Sequence, residues 1–112
     1  MIAPRVSLDC ARITDWHSFH QEFAHAFGFP DFYGANMDAW IDCLTYLDDA
    51  NAGMTAVHCD PGSVVVLELL DVKSFKQRCP DQYGAVIECA AFVNWRRLEK
   101  DEPAVLALSF WN

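Results

Sequence analysis

Ser63-Val64-Val65-Val66-Leu67-Glu68-Leu69-Leu70 (SVVVLELL) is the stretch on which the fold turns. It is β-branched at its start and nearly continuously apolar. Such a run reads as a strand buried on both faces. Upstream, Asp48–Gly62 is polar and carries Asn51, Gly53, Pro61 and Gly62; a loop this long in a small domain is usually functional or mobile. Before it, Asn36 is a good N-cap for a helix running to about Leu47, with Met37, Trp40, Leu44 and Leu47 forming one apolar stripe. An earlier helix begins at Thr14 or Asp15, and Gly28 and Pro30 stop it. Its apolar positions Trp16, Phe19, Phe23, Ala26 and Phe27 recur at three- and four-residue spacing. Arg5–Asp9 alternates polar and apolar and suits a first strand within the strand-like opening Met1–Cys10. Downstream, Asp71 is placed to cap a short helix ending near Arg78, which Pro80 breaks. Asp81 is placed to cap a last helix reaching about Lys100, with Val86, Ile87, Ala90, Phe92, Val93, Trp95 and Leu98 available to pack. Pro103 turns the chain into a final strand, Ala104–Phe110. The order β-α-α-β-α-α-β predicts an α/β fold: a three-stranded parallel β-sheet packed by about four α-helices, joined by right-handed crossovers.

The 112 residues suit one domain spanning 1–112, and a hydrophobic content of 53% supports a real core. No apolar run is long enough to cross a bilayer, and the opening residues lack an apolar signal core, so the expected location is cytoplasmic. The five cysteines, Cys10, Cys43, Cys59, Cys79 and Cys89, are odd in number with no CxxC, and free buried thiols are expected. No nucleotide or hydrolase motif occurs, and no cofactor is expected. His17 and His20 lie one turn apart, but His25, His58 and Cys59 complete no recognisable ligand spacing, and no metal is expected. The aromatics Trp16, Phe19, Phe23, Phe27, Phe92 and Trp95 read most simply as core. Phe32 and Tyr33, in a short connection, are expected to be exposed.

The charge is more informative. The net value is −8, which argues against direct nucleic-acid binding, because phosphate neutralisation needs lysine and arginine. From Ile13 to Asp71 there are ten acids and no lysine or arginine. Such a field attracts a cationic protein partner. Within it, Asp38, Asp42, Thr45 and Asp49 stand at i, i+4, i+7 and i+11 of the second helix, opposite its apolar stripe. Asp38 gains from the helix dipole, but Asp42 does not, and Asp48 and Asp49 sit at the disfavoured end. No base at helical spacing relieves them, so a partner is expected to supply the missing cations.

The segment Pro30-Asp31-Phe32-Tyr33-Gly34-Ala35-Asn36-Met37-Asp38-Ala39-Trp40-Ile41-Asp42-Cys43-Leu44-Thr45 resembles the signature of the barstar family, the intracellular inhibitors of barnase-type ribonucleases. The match is long and ungapped here, and the order of elements over the rest of the chain is similar. The resemblance implies that the second helix and the loop before it plug a basic ribonuclease or nuclease toxin, with carboxylates where substrate phosphate would lie. It implies Asp42 as the central carboxylate and Asp38 as the supporting one. Tyr33, Gly34, Asn36 and Thr45 match contact positions, and Phe32 keeps the stacking ring without a hydroxyl. The expected surface also takes in Ile41, Tyr46 and Asp49. Ile41 stands where the best-known members have Trp, and Trp40 where they have Leu. The acid that those members carry on the fourth helix has no secure counterpart, since that segment reads Asn94-Trp95-Arg96-Arg97. The expected function is therefore an inhibitor of a basic nuclease, not an enzyme, and one form of that role is an immunity protein of a toxin pair. The alternative is a non-inhibitory interaction module of the same fold that binds another basic protein.

Overall fold

Strands alternate with pairs of helices across residues 3–112, the part of the chain that the computed structural model describes. The strand-like reading of Met1 and Ile2 lies outside the described residues. Strand β1 (Arg5–Asp9) leads to helices α1 (Trp16–Phe27) and α2 (Met37–Thr45), then to strand β2 (Val65–Leu70). Helices α3 (Val72–Arg78) and α4 (Pro80–Leu98) and strand β3 (Leu106–Phe110) follow. The strands form one parallel sheet in the order β1-β2-β3, with Val6 opposite Leu67 and Leu67 opposite Leu108. This is the α/β sheet of three parallel strands and four helices that the sequence predicts.

The strand order corrects one expectation about β2. Val65, Leu67 and Leu69 are fully buried, but the alternate residues Val66 and Glu68 are only half-buried and Leu70 is exposed. On that second face, Glu68 accepts a hydrogen bond from the Ser7 hydroxyl at 2.9 Å and pairs with Arg5 at 3.4 Å. Two crossovers of the same hand that advance in the same direction put their helices on the same face of the sheet. One face is therefore left uncovered, and Glu68 is the residue in the run that belongs there.

The helix ends follow local chemistry. Asp15 caps α1, its carboxylate accepting from the Ser18 backbone N–H at 2.8 Å, while the Ser18 hydroxyl accepts from the Asp15 backbone N–H at 3.1 Å. Gly28 closes α1 in the left-handed conformation at φ 67. A side chain there would also place a Cβ 2.5 Å from that of Ala56, so both the backbone and the close approach require glycine. That approach shows where the long connection goes. Ala56 N–H donates to the Phe27 carbonyl at 2.8 Å and Cys59 N–H to the Leu47 carbonyl at 2.9 Å, while Thr55 is buried. Residues 48–62, expected as a long functional or mobile loop, are thus strapped over the ends of α1 and α2.

Asp71 does not cap α3 as expected. It occupies the N-cap position at φ 58 with no capping hydrogen bond, and its carboxylate lies 3.9 Å from Arg78. Asp81 does not cap α4 either. Pro80 is itself the first residue of α4, where its missing N–H costs nothing, so only Cys79 separates the two helices. The buried stripe of α4 is narrow: Val86, Ala90, Val93 and Arg97. Phe92, Trp95 and Leu98 are exposed, as is Trp16 on α1, so the reading of Trp16, Phe92 and Trp95 as core is corrected. Arg97 takes the core position at the end of the stripe, which turns its apolar neighbours outward. Phe19, Phe23, Phe27, Trp40, Leu44 and Leu47 are fully buried as predicted. Trp40 packs edge-on against Phe23, and its indole N–H has no hydrogen-bond partner. The cysteines are free thiols, four of them buried, and burial pushes Cys10 up to about 12 and Cys43 up to about 11. Among the described residues no helix is long and apolar enough to cross a membrane.

Candidate functional site

Asn36 sets the start of α2, its side-chain oxygen accepting from the Ala39 N–H at 2.8 Å. The connection before it is shaped by one ring. Tyr33, expected to be exposed, is half-buried: it packs on Phe29 with ring centroids 4.6 Å apart, and its hydroxyl shares a 2.6 Å hydrogen bond with Nδ1 of His20. Anchoring Tyr33 throws the neighbouring Phe32 outward, where it is 75% exposed, the most exposed large apolar side chain described. Ala35 is held at φ 52, a left-handed conformation that costs a non-glycine residue roughly 1–2 kcal/mol. It is pinned between the Tyr33 anchor and the Asn36 cap. An open hollow of about 330 Å³ lies beside this loop, walled by Trp16, His20, Ala24, Tyr33 and Ala35.

Burial draws His20 below the ordinary imidazole range, and burial above all raises Tyr33. The folded chain therefore accepts a proton at His20 less readily than the unfolded chain, whose imidazole titrates near about 6.5. By linkage, stability is full above that pH and falls as the pH drops through it, because the unfolded state binds the extra proton. Urea unfolding at about pH 7.5 and about pH 5.5 will show a loss at the lower value. The loss will shrink in His20→Gln, and an unchanged pH response in that variant would refute the assignment.

Asp38 and Asp42 are exposed on the same side of α2, and Ile41 is half-buried beside them. Two other members of the predicted acidic face are elsewhere. Helix α2 ends at Thr45 rather than near Leu47, so Asp49 is not on it; Asp49 instead caps the 3-10 turn Ala50–Ala52, accepting from the Asn51 N–H at 3.0 Å. Thr45 is buried, its hydroxyl donating to the Ile41 carbonyl at 2.6 Å, the back-bond that a helical threonine makes when it turns from solvent. Tyr46, the residue that ends the helix, is exposed. The open part of the site is thus Phe32, Gly34, Asn36, Asp38 and Asp42, with Ile41, Tyr33 and Tyr46 at its borders.

No base stands at helical spacing on α2, but the expectation that a partner supplies the missing cations is corrected for Asp42 and Asp48. Helix α4 packs beside α2 and supplies two arginines. Arg96 Nη1 donates to Asp42 at 3.1 Å, and the Asp42 side chain remains 56% exposed. Arg97, 3% exposed, donates to both carboxylate oxygens of Asp48 at 3.1 and 2.6 Å and to the carbonyls of Thr45 and Pro103 at 2.9 and 2.7 Å. Among the described residues, Asp38 and Asp49 have no cation within ion-pair distance. The sequence signal for the two arginines was present: adjacent bases in the last turn of α4, where the dipole favours cations. Their partners depend on how the two helices are rotated against each other, which local spacing does not encode.

What the arrangement can do chemically follows from its donors and acceptors. It offers carboxylates and an exposed ring on a rigid helix and its strained leading loop. Carboxylates on a fixed frame accept charge-assisted hydrogen bonds from guanidinium and ammonium groups. A comparison with curated proteins gives no match. A comparison with protein families matches Barstar (barnase inhibitor) over residues 3–108, nearly the whole chain, and the three-stranded parallel sheet with its four helices agrees with it. The chain belongs to the barstar family.

Proposed function

We propose that this protein inhibits a basic ribonuclease, or a nuclease toxin, by inserting α2 and the loop before it into the enzyme's active site. The observation that carries this reading is the pair of exposed carboxylates, Asp38 and Asp42, on one side of α2, reached through a loop that presents Phe32. An enzyme that cleaves RNA must hold a phosphate with cationic groups. A rigid surface that places carboxylates where phosphate oxygens bind competes for those groups. Long-range attraction between a chain of net charge −8 and a basic enzyme speeds their encounter.

In this reading Asp42 is the central carboxylate and Asp38 its support. Phe32 stacks on the enzyme, and Tyr33, Gly34, Asn36, Ile41 and Tyr46 form the surrounding contact. Thr45 contributes by holding the end of α2, and Asp49 lies at the edge. The protein is not itself an enzyme, acts in the cytoplasm, and protects the cell either from its own ribonuclease or, as an immunity protein, from a toxin. Adding the purified protein to barnase, the enzyme named in the family's description, is expected to abolish ribonuclease activity at stoichiometric ratio. A complex isolated from the native cell whose bound protein is basic but cleaves no RNA would overturn inhibition in favour of a simple interaction module.

A further inference from the structure

Arg96 and Arg97 are neighbours on α4, yet they are held in opposite ways. Arg97 is locked by four hydrogen bonds to Asp48, Thr45 and Pro103. Arg96 makes a single hydrogen bond, from Nη1 to Oδ1 of Asp42. Four of its five guanidinium N–H donors have no protein acceptor among the described residues. Oδ2 of Asp42 likewise accepts no hydrogen bond there. The Asp42 side chain is 56% exposed and that of Arg96 27%, and one hydrogen bond joins them, so the pair is weak and open to exchange. Among the described residues no other cation pairs with an acid on α2.

We infer that Arg96 is the selectivity-determining residue of the acidic helix, a built-in counter-ion with which any cationic partner must compete for Asp42. A single lysine on a basic surface gains little by replacing an arginine that the fold already delivers there. Several cations converging in a phosphate-binding cleft gain more, because they engage both oxygens of Asp42 and Asp38 together. Arg96 therefore screens out ordinary basic surfaces. The inference rests on the reading that α2 meets a cationic partner, and its consequence is negative selection: an ion pair that lowers affinity for the wrong proteins.

The test uses cytochrome c, a basic protein without a phosphate-binding cleft, titrated at low ionic strength against four forms of the full chain. Arg96→Gln is expected to bind it about fivefold more tightly than the parent, the upper range for a surface ion pair. Arg12→Gln removes the same charge at a site away from α2, on an arginine that pairs with Glu22, and is expected to change binding by less than about twofold. The double variant Asp42→Asn with Arg96→Gln is expected to lose the gain. An Arg96→Gln gain no larger than that of Arg12→Gln, a gain that survives Asp42→Asn, or weaker binding by Arg96→Gln would each overturn the inference. Barnase inhibition, measured separately, judges the functional reading: a parent chain that fails to inhibit while Arg96→Gln still gains on cytochrome c removes the nuclease but not the counter-ion.

Discussion

Replacing Arg97 with alanine is expected to destabilise the fold by about 3–5 kcal/mol, the range for removing one partner of a buried ion pair. Its guanidinium is 3% exposed, donates to both oxygens of Asp48, and ties the end of α2 to the turn before β3 through the Thr45 and Pro103 carbonyls. Alanine leaves the Asp48 carboxylate and two carbonyls without these donors, and opens a void at the end of the α4 stripe. Against a typical total of about 5–15 kcal/mol, that is a large part of the stability of such a domain. Lysine will not restore it, because a point charge cannot reproduce the planar fork that reaches Asp48 and the two carbonyls together. Urea unfolding of Arg97→Ala and Arg97→Lys checks both statements; a loss under about 1 kcal/mol in the alanine variant would show that this arginine is not the clasp between α2 and α4.

Asp42→Ala is expected to weaken binding of the target ribonuclease by more than about 2 kcal/mol, roughly thirtyfold, as for a central interface residue. Its effect on the fold should be small, because the Asp42 side chain is 56% exposed and its only ion pair among the described residues is the single hydrogen bond from Arg96. The substitution also frees Arg96, so a repulsive cation now faces the partner's cations in place of the carboxylate. Asp42→Ala should therefore cost more than Asp38→Ala, which removes a carboxylate without releasing a base. Titration calorimetry with barnase measures both variants. Equal affinity for Asp42→Ala and the parent would mean that α2 does not face the enzyme.

The contrast between these two arginine contacts explains why the site is only partly legible in the sequence. Asp38 and Asp42 are one turn apart on a helix whose cap, Asn36, is unambiguous, so their exposure follows from spacing alone. Thr45 and Asp49 continue the same spacing, yet one turns inward and the other lies beyond the helix end. A helix stops where its tertiary surroundings make stopping favourable, and here residues 48–62 fold back over α1 instead of extending α2. Tyr33 is similar: a ring in a short connection is expected to be exposed, but His20, thirteen residues earlier, reaches its hydroxyl.

What the sequence by itself determined is what local physics encodes. Hydrophobic periodicity placed the strands and helices, caps at Asp15 and Asn36 and the glycine at 28 marked helix ends, and the order of elements implied a parallel sheet. The stretch 30–45 pointed to the barstar family. The tertiary structure alone decided which face of β2 is covered, because that depends on the direction of both crossovers. It alone decided that Phe92 and Trp95 face outward while Arg97 faces inward, because that depends on the rotation of α4 against α2. It alone brought Arg96 to Asp42 across fifty-four residues of chain. Charges near each other in sequence act through fixed helical spacing; charges brought together by packing act only once the core has set the register between the elements that carry them.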